Sequence, residues 1–152
     1  MNYRLTPSLL SADFTELGSQ IELLKSLGVR ALHCDIMDGD FVPSISFGMP
    51  VLKSLRKRTD LYLDAHLMVT EPDRYIDAFV EAGADGITVH AEACRHLDRT
   101  VQHIKACGKK AAVEPGDPAR CARGHTPGAR YGAHHVGESG LRRAELHSVL
   151  HG

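Results

Sequence analysis

Up to about residue 114, this 152-residue chain repeats one unit: a short apolar strand, a turn, and an amphipathic helix closed by glycine. Strands are predicted at residues 3–10, 31–37, 61–69, 86–90 and 109–113. Successive strands separated by a helix need crossover connections. They therefore run parallel with their helices outside, in either an open doubly wound sheet or a (β/α) barrel. The strands themselves choose between the two. A sheet buried on both faces reads as unbroken Val, Ile and Leu. Here Leu32, Cys34 and Ile36 alternate with His33, Asp35 and Met37, and Leu63, Ala65 and Leu67 alternate with Asp64, His66 and Met68. One face of each strand is polar and titratable, and no Gly-rich phosphate-cradling turn follows any strand, which favours the barrel.

The helices carry their own boundary signals. Leu17, Ile21, Leu24 and Leu27 share a face ahead of Gly28, and Asp13 and Glu16 have the spacing of a capping box. A second helix, over residues 50–57, has Val51, Leu52 and Leu55 for its buried face. In the third, Thr70 is expected to cap, Pro72 suits the first turn, Tyr75, Ile76, Phe79 and Val80 form the apolar stripe, and Gly83 ends it. Leu97, Val101 and Ile104 before Gly108 mark the fourth.

Charge narrows the function classes. Eighteen basic and 19 acidic side chains leave a formal charge of −1, so the chain lacks the basic field that nucleic acid or anionic lipid requires. No apolar run approaches the ~18–20 residues of a spanning helix, and the start has no apolar signal core. A cytoplasmic location with neither nucleic-acid nor membrane partners is expected. Cys34, Cys94, Cys107 and Cys121 form no CxxC pair and are read as reduced thiols.

Residues 115–152 contain no lysine and few large apolar side chains, while Arg, Gly, His and Pro are abundant. They cannot supply further strand–helix units and are expected to form a poorly ordered tail after a packed unit at 1–114. Only 141–151 has helical potential, through Leu146, Val149 and Leu150. His134 and His135 lack partners at ligand spacing and read as a solvated tract.

The chemistry concentrates on the polar strand faces. His33 and Asp35 are two apart on one strand and leave the same face, and His66 enters from a neighbouring strand. Two imidazoles and a carboxylate form a divalent-metal site with open positions, acceptable to zinc, iron, manganese or cobalt. Hydrogen-bonded interior histidines are the competing reading, and spacing alone leaves the two level.

The segments Ser8-Leu-Leu-Ser11-Ala-Asp13-Phe14, His33-Cys-Asp35-Ile-Met37-Asp38-Gly39-Asp-Phe-Val-Pro43, Asp64-Ala-His66-Leu-Met68 and Thr88-Val-His90-Ala-Glu92 closely resemble the ribulose-phosphate 3-epimerase family, in register from about residue 3 to residue 113. The resemblance implies a (β/α)8 TIM barrel, of which this chain would hold the first four to five units. It also implies one bound divalent metal ion and a ketose phosphate substrate, in the pentose phosphate pathway. Carried over by position, His33, Asp35 and His66 would ligate the metal, and Ser8, His33 and His66 would touch substrate. Asp35 would accept the C3 proton as ribulose 5-phosphate and xylulose 5-phosphate interconvert through an enediolate. Met37 and Met68 would line the pocket, although core filling explains them equally well.

Inversion also needs an acid on the opposite face of the reacting carbon. The family draws it from an Asp on the seventh strand, and a closed barrel takes about 200–250 residues, with its phosphate loops after strands seven and eight. Those parts are not expected in this chain. The departure begins after Lys110-Ala-Ala-Val113, where Glu114-Pro-Gly-Asp-Pro118 stands in place of the family's Asn-Pro turn. Out-of-frame translation of GC-rich DNA produces this kind of change, so a frameshift is expected. A half barrel exposes strand edges, which predicts a homo-oligomer. A non-catalytic metal-binding fragment and an allulose 6-phosphate 3-epimerase are the alternatives.

Overall fold

The computed structural model describes residues 5–115. In chain order the elements are α1 (Leu17–Ser26), β1 (Ala31–Met37), α2 (Met49–Arg56), β2 (Tyr62–Met68), α3 (Ile76–Glu81), β3 (Gly86–His90), α4 (Leu97–Ala106) and β4 (Lys110–Glu114). The strands form one parallel sheet in the order β1-β2-β3-β4. This is part of a (β/α) barrel, with four strands among the described residues, as the alternating pattern predicts.

One face of the sheet meets the helices. Leu32, Cys34, Ile36, Leu63, Ala65, Leu67, Ile87 and Val89 are buried there with Ile21, Leu52, Leu55, Ile76, Phe79 and Ile104 in a single core. Burial of these side chains is the main stabilising term, at roughly 25 cal/mol per Å² of apolar surface. The other face carries the polar residues in register: His33 opposite Asp64, Asp35 opposite His66, and Met37 opposite Met68. Farther along, Asp64 lies opposite Gly86 and His66 opposite Thr88.

Helix ends fall where the glycines stand. Gly28, Gly83 and Gly108 take φ of 84°, 103° and 74° after α1, α3 and α4, the left-handed conformation that a glycine adopts without strain. At Gly83 space is also limiting, because a Cβ there would lie 2.5 Å from Cγ of Arg56. The Arg56 guanidinium is committed. It donates to Asp85 Oδ2 at 2.8 Å and to the carbonyls of Leu61 and Thr59, joining the turn before β2 to the turn before β3.

Three local expectations are corrected. No strand covers the described part of 3–10. The carbonyl of Pro7 accepts from the His33 N–H at 2.9 Å and Ser8 bridges His33 in parallel, but a 3-10 turn follows at Leu9–Ser11. Pro7 has no N–H for a ladder, and the Ser8 hydroxyl accepts from the Leu10 N–H, which turns the chain. Asp13 and Glu16 make no capping box, since Asp13 Oδ1 is taken by the N–H and hydroxyl of Thr15 and Glu16 is itself the N-cap. Thr70 does not cap either: its N–H and hydroxyl bond to Asp38 and Asp40, and the helix opens with a 3-10 turn at Pro72–Arg74.

Cys34, Cys94 and Cys107 are free thiols. Among the described residues no helix is long and apolar enough to cross a membrane. The expectations for the tail, for the helix over 141–151 and for Cys121 lie outside the described residues.

Candidate active site

Alternation along β1 and β2 puts His33, Asp35 and His66 on one face, and the parallel register brings them together. His33 Nε2 lies 3.0 Å from His66 Nδ1 and 3.2 Å from Asp35 Oδ1, and His66 Nδ1 lies 3.1 Å from the same carboxylate oxygen. All three predicted ligands therefore converge. Ser8, brought alongside by its bridge to β1, donates its hydroxyl to the other Asp35 oxygen, Oδ2, at 2.5 Å.

The far sides of both rings are also engaged. His33 Nδ1 faces Asp64 Oδ2 at 2.9 Å, and Asp64 Oδ1 accepts from the Thr88 hydroxyl at 3.0 Å. His66 Nε2 faces His90 Nε2 at 2.9 Å, with the two rings stacked. When His33 donates from Nδ1 to Asp64 and His66 donates from Nε2 to His90, each ring keeps one free lone pair. In those tautomers the lone pairs of His33 Nε2 and His66 Nδ1 point at Asp35 Oδ1. Three acceptors within 3.2 Å repel one another unless a cation sits among them.

A divalent ion satisfies that requirement. Bonds of about 2.0–2.1 Å separate neighbouring ligands by about 3.3–3.4 Å around a tetrahedral ion and about 2.9 Å around an octahedral one. The observed separations of 3.0–3.2 Å fall between these values. The residues fit a metal, and outer partners that fix imidazole orientation are what such sites use.

Without an ion, a proton takes its place. Burial opposes a charged His33, but the carboxylates of Asp35 and Asp64 outweigh it and raise its pKa to about 9. Burial likewise opposes an ionised Asp35, yet His33, His66 and Ser8 hold its carboxyl well below the usual range. At His90, burial and the neighbouring His66 lower the pKa.

The loop after β1 is fastened over this face. Ser46 donates to the Asp35 carbonyl at 2.6 Å and accepts from the Met37 N–H at 3.0 Å, while Asp38 Oδ2 accepts from the Thr70 N–H at 2.7 Å. Phe41 lies against His90 with ring centroids 4.9 Å apart. Met37 and Met68 stand opposite each other, half-buried, at the ends of β1 and β2.

Sequence reasoning gave Asp64 and His90 no role. The signal existed, because Asp64 is two residues before His66 and His90 two after Thr88, so each shares the inward face. Assigning the partners needed the strand register, which pairs His33 with Asp64.

Comparison with known proteins gives a consistent picture. The sequence model described as the ribulose-phosphate 3 epimerase family matches residues 4–122. Ribulose-phosphate 3-epimerase of Bacillus subtilis (strain 168) is 54% identical over 110 residues, covering 72% of this chain and 51% of the relative. The ribulose-phosphate 3-epimerase cytoplasmic isoform of Oryza sativa subsp. japonica is 46% identical over 118 residues, with coverages of 76% and 52%. The chloroplastic ribulose-5-phosphate-3-epimerase of Arabidopsis thaliana is 47% identical over 118 residues, with coverages of 75% and 42%. The chain spans about half the length of the curated relatives it matches.

Proposed function

The chain belongs to the ribulose-phosphate 3-epimerase family, and on that premise we propose that its inward strand face carries the metal site and the first proton-transfer group of an epimerase acting on ribulose 5-phosphate and xylulose 5-phosphate. The observation that carries this reading is the convergence of His33 Nε2, His66 Nδ1 and Asp35 Oδ1 within 3.2 Å. Zinc, iron, manganese and cobalt all accept this donor set. When bound, the ion supplies Lewis acidity that stabilises negative charge developing on the sugar's carbonyl and hydroxyl oxygens.

The protein's own residues do the rest. Asp35 Oδ2, the oxygen not facing the imidazoles, takes the C3 proton, and the Ser8 hydroxyl that donates to it orients it and touches substrate. His33 and His66 are held by Asp64 and His90, so the carboxylate stays placed between them. Met37 and Met68 give the reacting carbon an apolar surround. Return of the proton to the opposite face needs a second acid, and none of these groups supplies it. Half of the epimerisation chemistry is therefore assigned to these residues. We place the protein in the cytoplasm as a homo-oligomer. The relatives' names include both a cytoplasmic isoform and a chloroplastic enzyme, so cell fractionation and light scattering are the checks.

The test is exchange of the C3 proton of ribulose 5-phosphate with solvent deuterium, alongside a coupled assay for xylulose 5-phosphate, with each of the four metals. Exchange that disappears in Asp35→Asn supports the reading. No exchange with any metal overturns catalysis by this chain. A second reading, a non-catalytic metal-binding fragment, rests on the second acid that none of the converging groups supplies. Metal binding lost in His33→Ala, without exchange in the unaltered chain, selects it.

A further inference from the structure

On the outer layer of the barrel, separated from the inward face by the sheet and its core, α3 and α4 bring together three side chains of different donor type. Asp77 stands in the first turn of α3, His103 in the last turn of α4, and Cys107 is the residue that caps α4. Asp77 Oδ1 lies 2.9 Å from His103 Nε2 and accepts from Cys107 Sγ at 3.6 Å. One ligand atom from each falls within 4.8 Å of the other two. His103 and Cys107 are four apart on one helix face, and the Cys107 N–H bonds to the His103 carbonyl at 3.1 Å, which fixes their relation.

The two helices are also pinned independently of this cluster. Thr100 of α4, wholly buried, donates its hydroxyl at 2.9 Å to Oδ2 of Asp73, which stands in the 3-10 turn leading into α3. The trio is therefore presented by a preformed helix pair.

We propose that Asp77, His103 and Cys107 form a second divalent-metal site, of the zinc class, that links α3 to α4. A thiolate, an imidazole and a carboxylate together select a borderline ion such as Zn²⁺ or Co²⁺ over Mg²⁺ or Ca²⁺. Bonds of about 2.3 Å to sulfur and about 2.0–2.1 Å to nitrogen and oxygen place a sulfur about 3.5 Å from an oxygen ligand in a tetrahedron. The Cys107–Asp77 separation of 3.6 Å matches this directly. Binding displaces the thiol proton to solvent, and water fills the fourth position. The site takes no part in the sugar chemistry, since it lies among the helices and not at the inward strand face. Bound metal cross-links the helices and stabilises the fold by mass action.

The experiment is a Co²⁺ titration of the whole chain carrying Cys121→Ser, read through the near-ultraviolet sulfur-to-cobalt charge-transfer band. The His33, Asp35 and His66 site has no sulfur donor, so the band reports the second site alone. The expected result is a band that is weakened about tenfold or more by Cys107→Ser, His103→Ala or Asp77→Asn. It is unchanged by Cys94→Ser and by His33→Ala, so loss of the inward site is told apart from loss of this one. Zn²⁺ should slow iodoacetamide labelling of Cys107 in the unaltered chain, and EDTA should restore it. Absence of the band at millimolar Co²⁺, or a band that survives Cys107→Ser, overturns the proposal.

Discussion

Replacing Asp64 with asparagine should change how metal binding at His33, Asp35 and His66 depends on pH. In the metal-free chain His33 has a pKa of about 9, raised against the cost of burial by Asp35 and Asp64, so at pH 7 the ring carries a proton that an incoming ion must displace. Two pH units correspond to about 100-fold, or about 2.7 kcal/mol, of competition at pH 7. Apparent affinity should therefore rise about tenfold per unit from pH 7 to 9 and level off above. About one proton should leave His33 per ion bound at pH 7, seen by calorimetry in buffers of different ionisation enthalpy. Asparagine keeps a carbonyl acceptor 2.9 Å from His33 Nδ1 but removes the charge. The break in the pH curve should move down toward the ordinary histidine range, and proton release at pH 7.5 should shrink. Above pH 9, where protons no longer compete, affinity should still fall about 10–100-fold because the ring is held less firmly. Each value is taken as the difference from a His33→Ala chain, which removes contributions from other histidines. The same break in Asp64→Asn as in the unaltered chain would refute the assignment of Asp64 as the group that sets His33.

The same two shifts bear on stability without metal. A raised His33 stabilises fully below pH 6.5 and loses that contribution as pH climbs through about 9. A depressed Asp35 stabilises above its ordinary range and loses that contribution in acid. Melting of the EDTA-treated chain should therefore be highest between about pH 4 and 6.5 and decline toward pH 9, less steeply in Asp64→Asn. Gly83→Ala puts a Cβ at φ 103° into Arg56 and should cost about 2–3 kcal/mol in urea unfolding, from backbone strain and displaced guanidinium hydrogen bonds. Phe79→Ala, at a side chain 1% exposed, should cost about 3–5 kcal/mol. Resequencing the DNA across the codons for residues 108–120 should reveal a single-base change that restores a strand-and-helix pattern. An intact frame would show the tail to be the true product.

Much of the fold was legible because its signals are local. Strand alternation needs only the period of two set by the pleat. Helix stripes need only the period of 3.6, and Gly28, Gly83 and Gly108 mark their ends by tolerating positive φ. The errors arose where a polar side chain had two possible partners. Asp13 and Thr70 have the right chemistry for capping, but Thr15 and the loop after β1 offered closer bonds. The strand expected at 3–10 yielded to the proline and the serine turn that follow one another at Pro7 and Ser8.

By itself the sequence determined the parallel strand–helix order and the polar face, which follow from covalent spacing along one strand or one helix, while the roles expected of His33, Asp35, His66 and Ser8 came from resemblance to the family. Only the tertiary structure decided that His33 faces Asp64, that His66 leans on His90, and that Asp77 meets His103 and Cys107. Those contacts join residues 24 to 31 positions apart. Their existence depends on strand register and helix packing, which the shared burial of the whole core sets and no local pattern encodes.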